Sequence, residues 1–135
     1  MLAGRFVGFE DSYEGKDGVQ YYVKVIDLRT GRHTVDTTTG RNNRYYNGGG
    51  SDFGLGHTSR IALTARGVVA WIAQERDDPQ QPPYAELDVA DGRHKRLLTT
   101  GRDLVPASVA LSADGKTVSW RDAAGMQSKQ VPSSD

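Results

Sequence analysis

The chain has no cysteine among its 135 residues. That absence excludes a disulfide framework, a thiolate zinc site and a cysteine nucleophile together. Nor is there an excess of charge of either sign, since 17 lysines and arginines balance 17 aspartates and glutamates. Without a net field, nothing draws the chain as a whole onto nucleic acid or an anionic membrane, and neither partner is expected. No stretch approaches the roughly 20 apolar residues of a membrane span. The start, Met1-Leu2-Ala3-Gly4-Arg5-Phe6, lacks the basic segment and apolar run of a secretory signal. These features leave the compartment open; a leader removed from upstream of Met1 would make the chain secreted or periplasmic. No Gly-x-Ser-x-Gly elbow marks a serine nucleophile.

What is present is repetition. Val7-Gly8-Phe9, Val69-Ala70-Trp71 and Val118-Ser119-Trp120 each place a valine two residues before a large aromatic, so that both project from one face of a short strand. Gly4, Gly67 and Gly115 supply a turn cue ahead of each. A second phrase recurs as Asp27-Leu28-Arg29-Thr30-Gly31-Arg32 and Asp88-Val89-Ala90-Asp91-Gly92-Arg93, the end of one strand, a tight turn and a basic start to the next. Period-2 alternation between such turns predicts about ten antiparallel strands, near 4–11, 20–28, 32–38, 58–64, 68–75, 84–89, 94–100, 107–112, 116–121 and 126–131, with no helix. Val7, Val69 and Val118 are spaced 62 and 49 residues apart. A four-strand unit of about 40–50 residues accounts for the second spacing, and one insertion within 39–57 accounts for the first.

The phrases Ile61-Ala62-Leu63-Thr64-Ala65-Arg66-Gly67-Val68-Val69-Ala70-Trp71 and Val109-Ala110-Leu111-Ser112-Ala113-Asp114-Gly115-Lys116-Thr117-Val118-Ser119-Trp120 resemble the hairpin of TolB-like and WD-type β-propeller repeats. The chain as a whole is similar to the C-terminal blades of actinobacterial propeller proteins of uncharacterised role. The resemblance implies a single all-β, β-propeller-like domain or fragment: a partial blade at 4–38, a loop at 39–57, a full blade at 58–100 and a partial blade at 107–131. It implies that the first blade lacks its inner strand and the last its outer one. A β-sandwich is the alternative fold. Open blade edges recruit strands, so a protein partner or other copies of the chain are expected to cover them.

No constellation of residues points to catalysis. His33 and His94 sit at equivalent turn exits, and Phe9, Trp71 and Trp120 at equivalent packing positions. The acids of Glu10-Asp11-Ser12-Tyr13-Glu14-Gly15-Lys16-Asp17-Gly18 do not follow calcium-loop spacing, and they read as a solvated hairpin tip. The candidate binding residues are Arg44, Tyr45 and Tyr46 in the insertion, whose Tyr, Arg and Asn content suits a recognition surface. Asp52 and His57 join them ahead of a predicted inner strand. No catalytic residue, metal or cofactor is assigned. The expected function is that of a non-catalytic binding or interaction scaffold. The alternatives are an accessory propeller portion of a larger hydrolase and a small-ligand or carbohydrate-binding module.

Overall fold

A computed structural model describes residues 1–15, 18–39, 55–75 and 85–132. Among the described residues, eleven strands form three antiparallel sheets. The first contains β1 (Leu2–Ala3), β2 (Phe6–Gly15), β3 (Gly18–Asp27) and β4 (Arg32–Thr38) in that order. The second contains β5 (Leu55–Leu63), β6 (Val69–Glu75), β7 (Ala85–Ala90) and β8 (Lys95–Gly101). The third contains β9 (Ala110–Leu111), β10 (Thr117–Asp122) and β11 (Gly125–Gln130), and no fourth strand pairs with β11 among the described residues. Every strand thus pairs with its neighbour in sequence, as hairpin-linked meanders require.

The sheets pack in succession, so that the middle one is covered on both faces. Phe6, Val23, Val25 and Val35 of the first sheet meet Leu63, Val69, Trp71, Ala73 and Ala90 of the second. On the other face, Ala70, Ile72, Ala85, Leu87, Val89 and Leu98 meet Val109, Val118 and Trp120, with Leu104 closing the cluster. Two separate cores between three sheets are not a two-sheet sandwich, and that alternative is set aside. Burial on both faces extends along β7, every residue of which is buried, including Glu86 and Asp88. The strand nevertheless keeps its apolar–polar alternation: Leu87 and Val89 face the third sheet, and Glu86 and Asp88 lie on the face turned to the first, buried by it.

The three glycines before the Val-x-aromatic phrase all adopt positive φ: 56° at Gly4, 83° at Gly67 and 73° at Gly115. At all three the lack of a side chain is also needed for packing, and a Cβ on Gly4 would stand 3.1 Å from the Ala65 Cβ. A Cβ on Gly67 would stand 3.1 Å from the Phe6 ring, and one on Gly115 would stand 3.0 Å from a Val68 methyl. Each turn therefore lets the adjoining sheet close onto it.

Three expectations are amended. The first sheet has an inner strand, but one of only two residues, Leu2↔Val7 and Ala3↔Phe6, too short to show alternation in sequence. The stretch 107–112 is not one strand: Pro106–Ser108 form a 3-10 turn, and only Ala110–Leu111 pair. Pro106 cannot donate to a ladder, and the Ser108 hydroxyl donates to Val105 O at 2.6 Å while accepting Arg121 N at 2.8 Å. Finally, Trp71 and Trp120 are core residues but Phe9 belongs to neither core, and Phe6 is the first sheet's buried aromatic. Phe9 stands on the face of β2 that points away from the second sheet, where no other sheet of the described residues lies.

Candidate functional site

Arg44, Tyr45, Tyr46 and Asp52 lie outside the described residues. His57 falls within the backbone of β5, and its side chain is likewise outside what is described. Among the described residues of the first hairpin, Glu10 and Asp11 lie on opposite faces. Pleating sends Glu10 to the second sheet, where one carboxylate oxygen accepts Thr58 N at 2.6 Å and the Thr58 hydroxyl at 2.8 Å. Asp11 turns to the opposite face and pairs with Lys24 at 2.9 Å. That lysine, followed by the Ser12 amide, holds the Asp11 carboxyl below the usual carboxylate range.

A cleft of about 550 Å³ opens between the second and third sheets at the ends of their strands. Its floor is apolar, from Val68 before β6, Val89 and Ala90 at the end of β7, and Val131 after β11. Its rim is cationic and polar: Arg96 from β8, Lys116 from the β9–β10 turn, His94 from the β7–β8 turn, and Gln130.

Local turn chemistry places each of these. Asp91 Oδ1 accepts the amides of Arg93 at 2.7 Å and His94 at 2.8 Å, which fixes the β7–β8 turn and engages the carboxylate with its own backbone. The aligned phrase works differently in the first sheet, where Asp27 Oδ1 accepts Arg29 N at 2.9 Å and its other oxygen meets Arg5 at 3.2 Å. On the opposite wall, Asp114 Oδ1 accepts the Ser112 hydroxyl at 2.7 Å and Lys116 N at 2.9 Å. Those two donors, the hydroxyl first, lower the Asp114 carboxyl pKa. Val131 N then donates to Lys116 O at 2.8 Å, tying the end of the third sheet to the turn that carries the lysine.

The cleft is therefore lined by two cationic side chains and an imidazole beside apolar ones; its acid, Asp91, is engaged by turn amides, and Arg96 has interactions of its own. This suits a ligand with an anionic group and an apolar portion. No group of three or more His, Asp or Glu residues with metal-binding geometry occurs among the described residues. His94 sits at the turn exit its repeat position predicts, half exposed, and also lines the cleft. Sequence reasoning missed the site because its residues come from four separated segments. The only trace in the sequence was the recurrence of the Gly-Arg turn phrase at Gly92-Arg93.

No helix among the described residues is long and apolar enough to cross a membrane. No protein-family model matches the chain, and no curated protein matches it. Among solved structures, it is similar to the β-propeller domain of the Trilobed protease from Pyrococcus furiosus, described as having an open velcro topology. The TM-score is 0.57 at 8% sequence identity, over 97% of this chain and 41% of that one. The chain thus spans less than half the length of the structure it matches. At that identity the likeness concerns fold alone: the three sheets are blades of a β-propeller-like, all-β arrangement.

Proposed function

We propose that the chain is a non-catalytic binding scaffold that takes an anionic, partly apolar ligand in the cleft between its second and third blades. One observation carries this reading: Arg96 and Lys116, from different sheets, line the same cleft as Val68, Val89, Ala90 and Val131. A charge-assisted contact to such a ligand would be stronger than a neutral one, and the apolar floor would add burial. The test is thermal shift with N-acetyl-leucine and similar blocked amino acids as free carboxylates, beside their amides. The carboxylates should raise the melting temperature, the amides should not, and Lys116→Glu should abolish the shift. No shift with either series, or one that survives Lys116→Glu, refutes the assignment.

A second reading is an accessory propeller portion of a larger hydrolase. What favours it is the likeness to a propeller domain that belongs to a protease. A hydrolase domain encoded in the same reading frame would support it, and a reading frame with no such domain would remove it.

A further inference from the structure

The third sheet ends differently from the other two. In the first two sheets the third strand is covered by a fourth, β3 by β4 and β7 by β8, whereas β11 pairs only with β10 among the described residues. The alternation of an antiparallel ladder fixes which backbone groups of β11 face outward. Ser112 N donates to Thr117 O at 2.9 Å in the β9–β10 hairpin, so Thr117, Ser119 and Arg121 direct their backbone groups away from β11. Their partners Gln130, Ser128 and Met126 accordingly direct their N–H and C=O groups away from β10. Val131 N, which donates to Lys116 O at 2.8 Å, keeps the same parity.

β11 lacks the usual guards of an edge strand. Its six pairs with β10 run without a bulge, and Pro132 falls after the strand. Its one charged side chain, Lys129, is turned to the second sheet, where Nζ donates to Leu98 O at 3.3 Å. The edge also leads to the cleft. Gln130, the last residue of β11, lines the cleft with Val131 and Pro132, and the bond from Val131 to Lys116 ties the end of the strand to the turn that carries that lysine.

We propose that the edge of β11 and the cleft together take the C-terminal segment of a partner polypeptide, bound as an added strand and ending in an apolar residue. This rests on the reading of the cleft as a site for an anionic, partly apolar ligand, and it names that ligand. The terminal carboxylate meets Lys116, with Arg96 on the same lining, and the last side chain lies beside Val68, Val89, Ala90 and Val131. The cleft is at the C-terminal end of β11, so a segment that ends in it runs parallel to that strand. Its backbone bonds to the outward groups of Met126, Ser128 and Gln130, which gives affinity with little dependence on sequence, while the cleft selects for the terminus and the final residue. A small carboxylate would use the cleft alone, and a C-terminal peptide uses both features.

Isothermal titration calorimetry with N-acetyl-leucine and with acetyl-Thr-Val-Thr-Leu, each as the free carboxylate, tests this. The tetrapeptide should bind roughly tenfold tighter, because it adds strand hydrogen bonds. Ser128→Pro removes one outward N–H at an exposed position of an edge strand, where proline is tolerated. That variant should keep the wild-type circular dichroism and its affinity for N-acetyl-leucine, and lose the tetrapeptide's gain. A tetrapeptide N-methylated at every residue but the last makes the same test on the unaltered protein, and should bind no tighter than N-acetyl-leucine. Equal affinity for N-acetyl-leucine and the tetrapeptide, or a gain that survives Ser128→Pro or N-methylation, overturns the added strand and leaves the cleft as a small-ligand site. No binding of either compound overturns both readings.

Discussion

Trp71 and Trp120 occupy equivalent positions in consecutive blades, yet they should not contribute equally to stability. The Trp71 indole donates to Thr39 O at 2.7 Å, within a site where both residues are fully buried. The Lys95 ammonium lies 5.8 Å from its ring centroid and donates to Thr38 O at 2.8 Å, so that indole and lysine together secure the end of the first sheet to the second. The Trp120 indole N–H is buried with no hydrogen-bond partner among the described residues. Replacing either residue by Phe removes the same atoms and leaves a similar void. Only Trp71→Phe also takes a buried donor from Thr39 O, at about 1–3 kcal/mol, whereas Trp120→Phe removes a donor that was already unpaired. Weakened attraction of Lys95 for the smaller ring adds about 0.5–1 kcal/mol to the Trp71 side. Trp71→Phe should therefore be the more destabilising by roughly 1.5–4 kcal/mol on these two terms. For a chain of this size each kcal/mol moves the thermal midpoint by roughly 3–5 °C. Urea unfolding followed by circular dichroism measures both variants free of the change in indole fluorescence. Equal costs, or a larger cost for Trp120→Phe, would refute the claim that the hydrogen bond rather than the ring separates the two sites.

The two positive-φ glycines Gly31 and Gly115 give a second comparison. At Gly31 (φ 71°) an added Cβ meets nothing within 4 Å, so Gly31→Ala should cost only the left-handed strain of roughly 1–2 kcal/mol. At Gly115 (φ 73°) the same change adds a 3.0 Å approach to Val68, and equilibrium unfolding should show a clearly larger loss. For Asp11, whose pKa is lowered chiefly by Lys24, the stabilising contribution is present above its unfolded pKa and lost as pH falls through the lower folded value. Lys24→Met should raise the Asp11 pKa toward the ordinary carboxylate value, seen by NMR titration, and move that acid loss to higher pH. An unchanged Asp11 titration would show that the Ser12 amide alone sets it.

The blade pattern was legible because each hairpin carries local chemistry: a glycine forced to positive φ, a valine and an aromatic two residues apart, an aspartate that takes turn amides. The short elements were not. A two-residue strand such as Leu2–Ala3 shows no period, and the 3-10 turn at Pro106–Ser108 overlaps the start of 107–112, whose alternation reads as strand. The cleft escaped for a different reason, since Lys116, Arg96, His94 and Val131 meet only once the second and third sheets are stacked.

Phe9, Trp71 and Trp120 recur at one position of the repeat, but recurrence does not say against what each copy packs. For Trp71 and Trp120 the answer is the preceding sheet, and both are buried. Phe9 lies on the corresponding face of the first sheet, which no preceding sheet covers among the described residues, and Leu2 on that face is exposed while Leu63 is not. In a stack of like blades, a residue's place in the repeat fixes which face it occupies, and its place in the stack fixes whether that face is covered. The first property is local and can be read from sequence spacing. The second depends on what stands next to the blade, and Leu2, 66% exposed where its counterpart Leu63 is 6% exposed, records that difference.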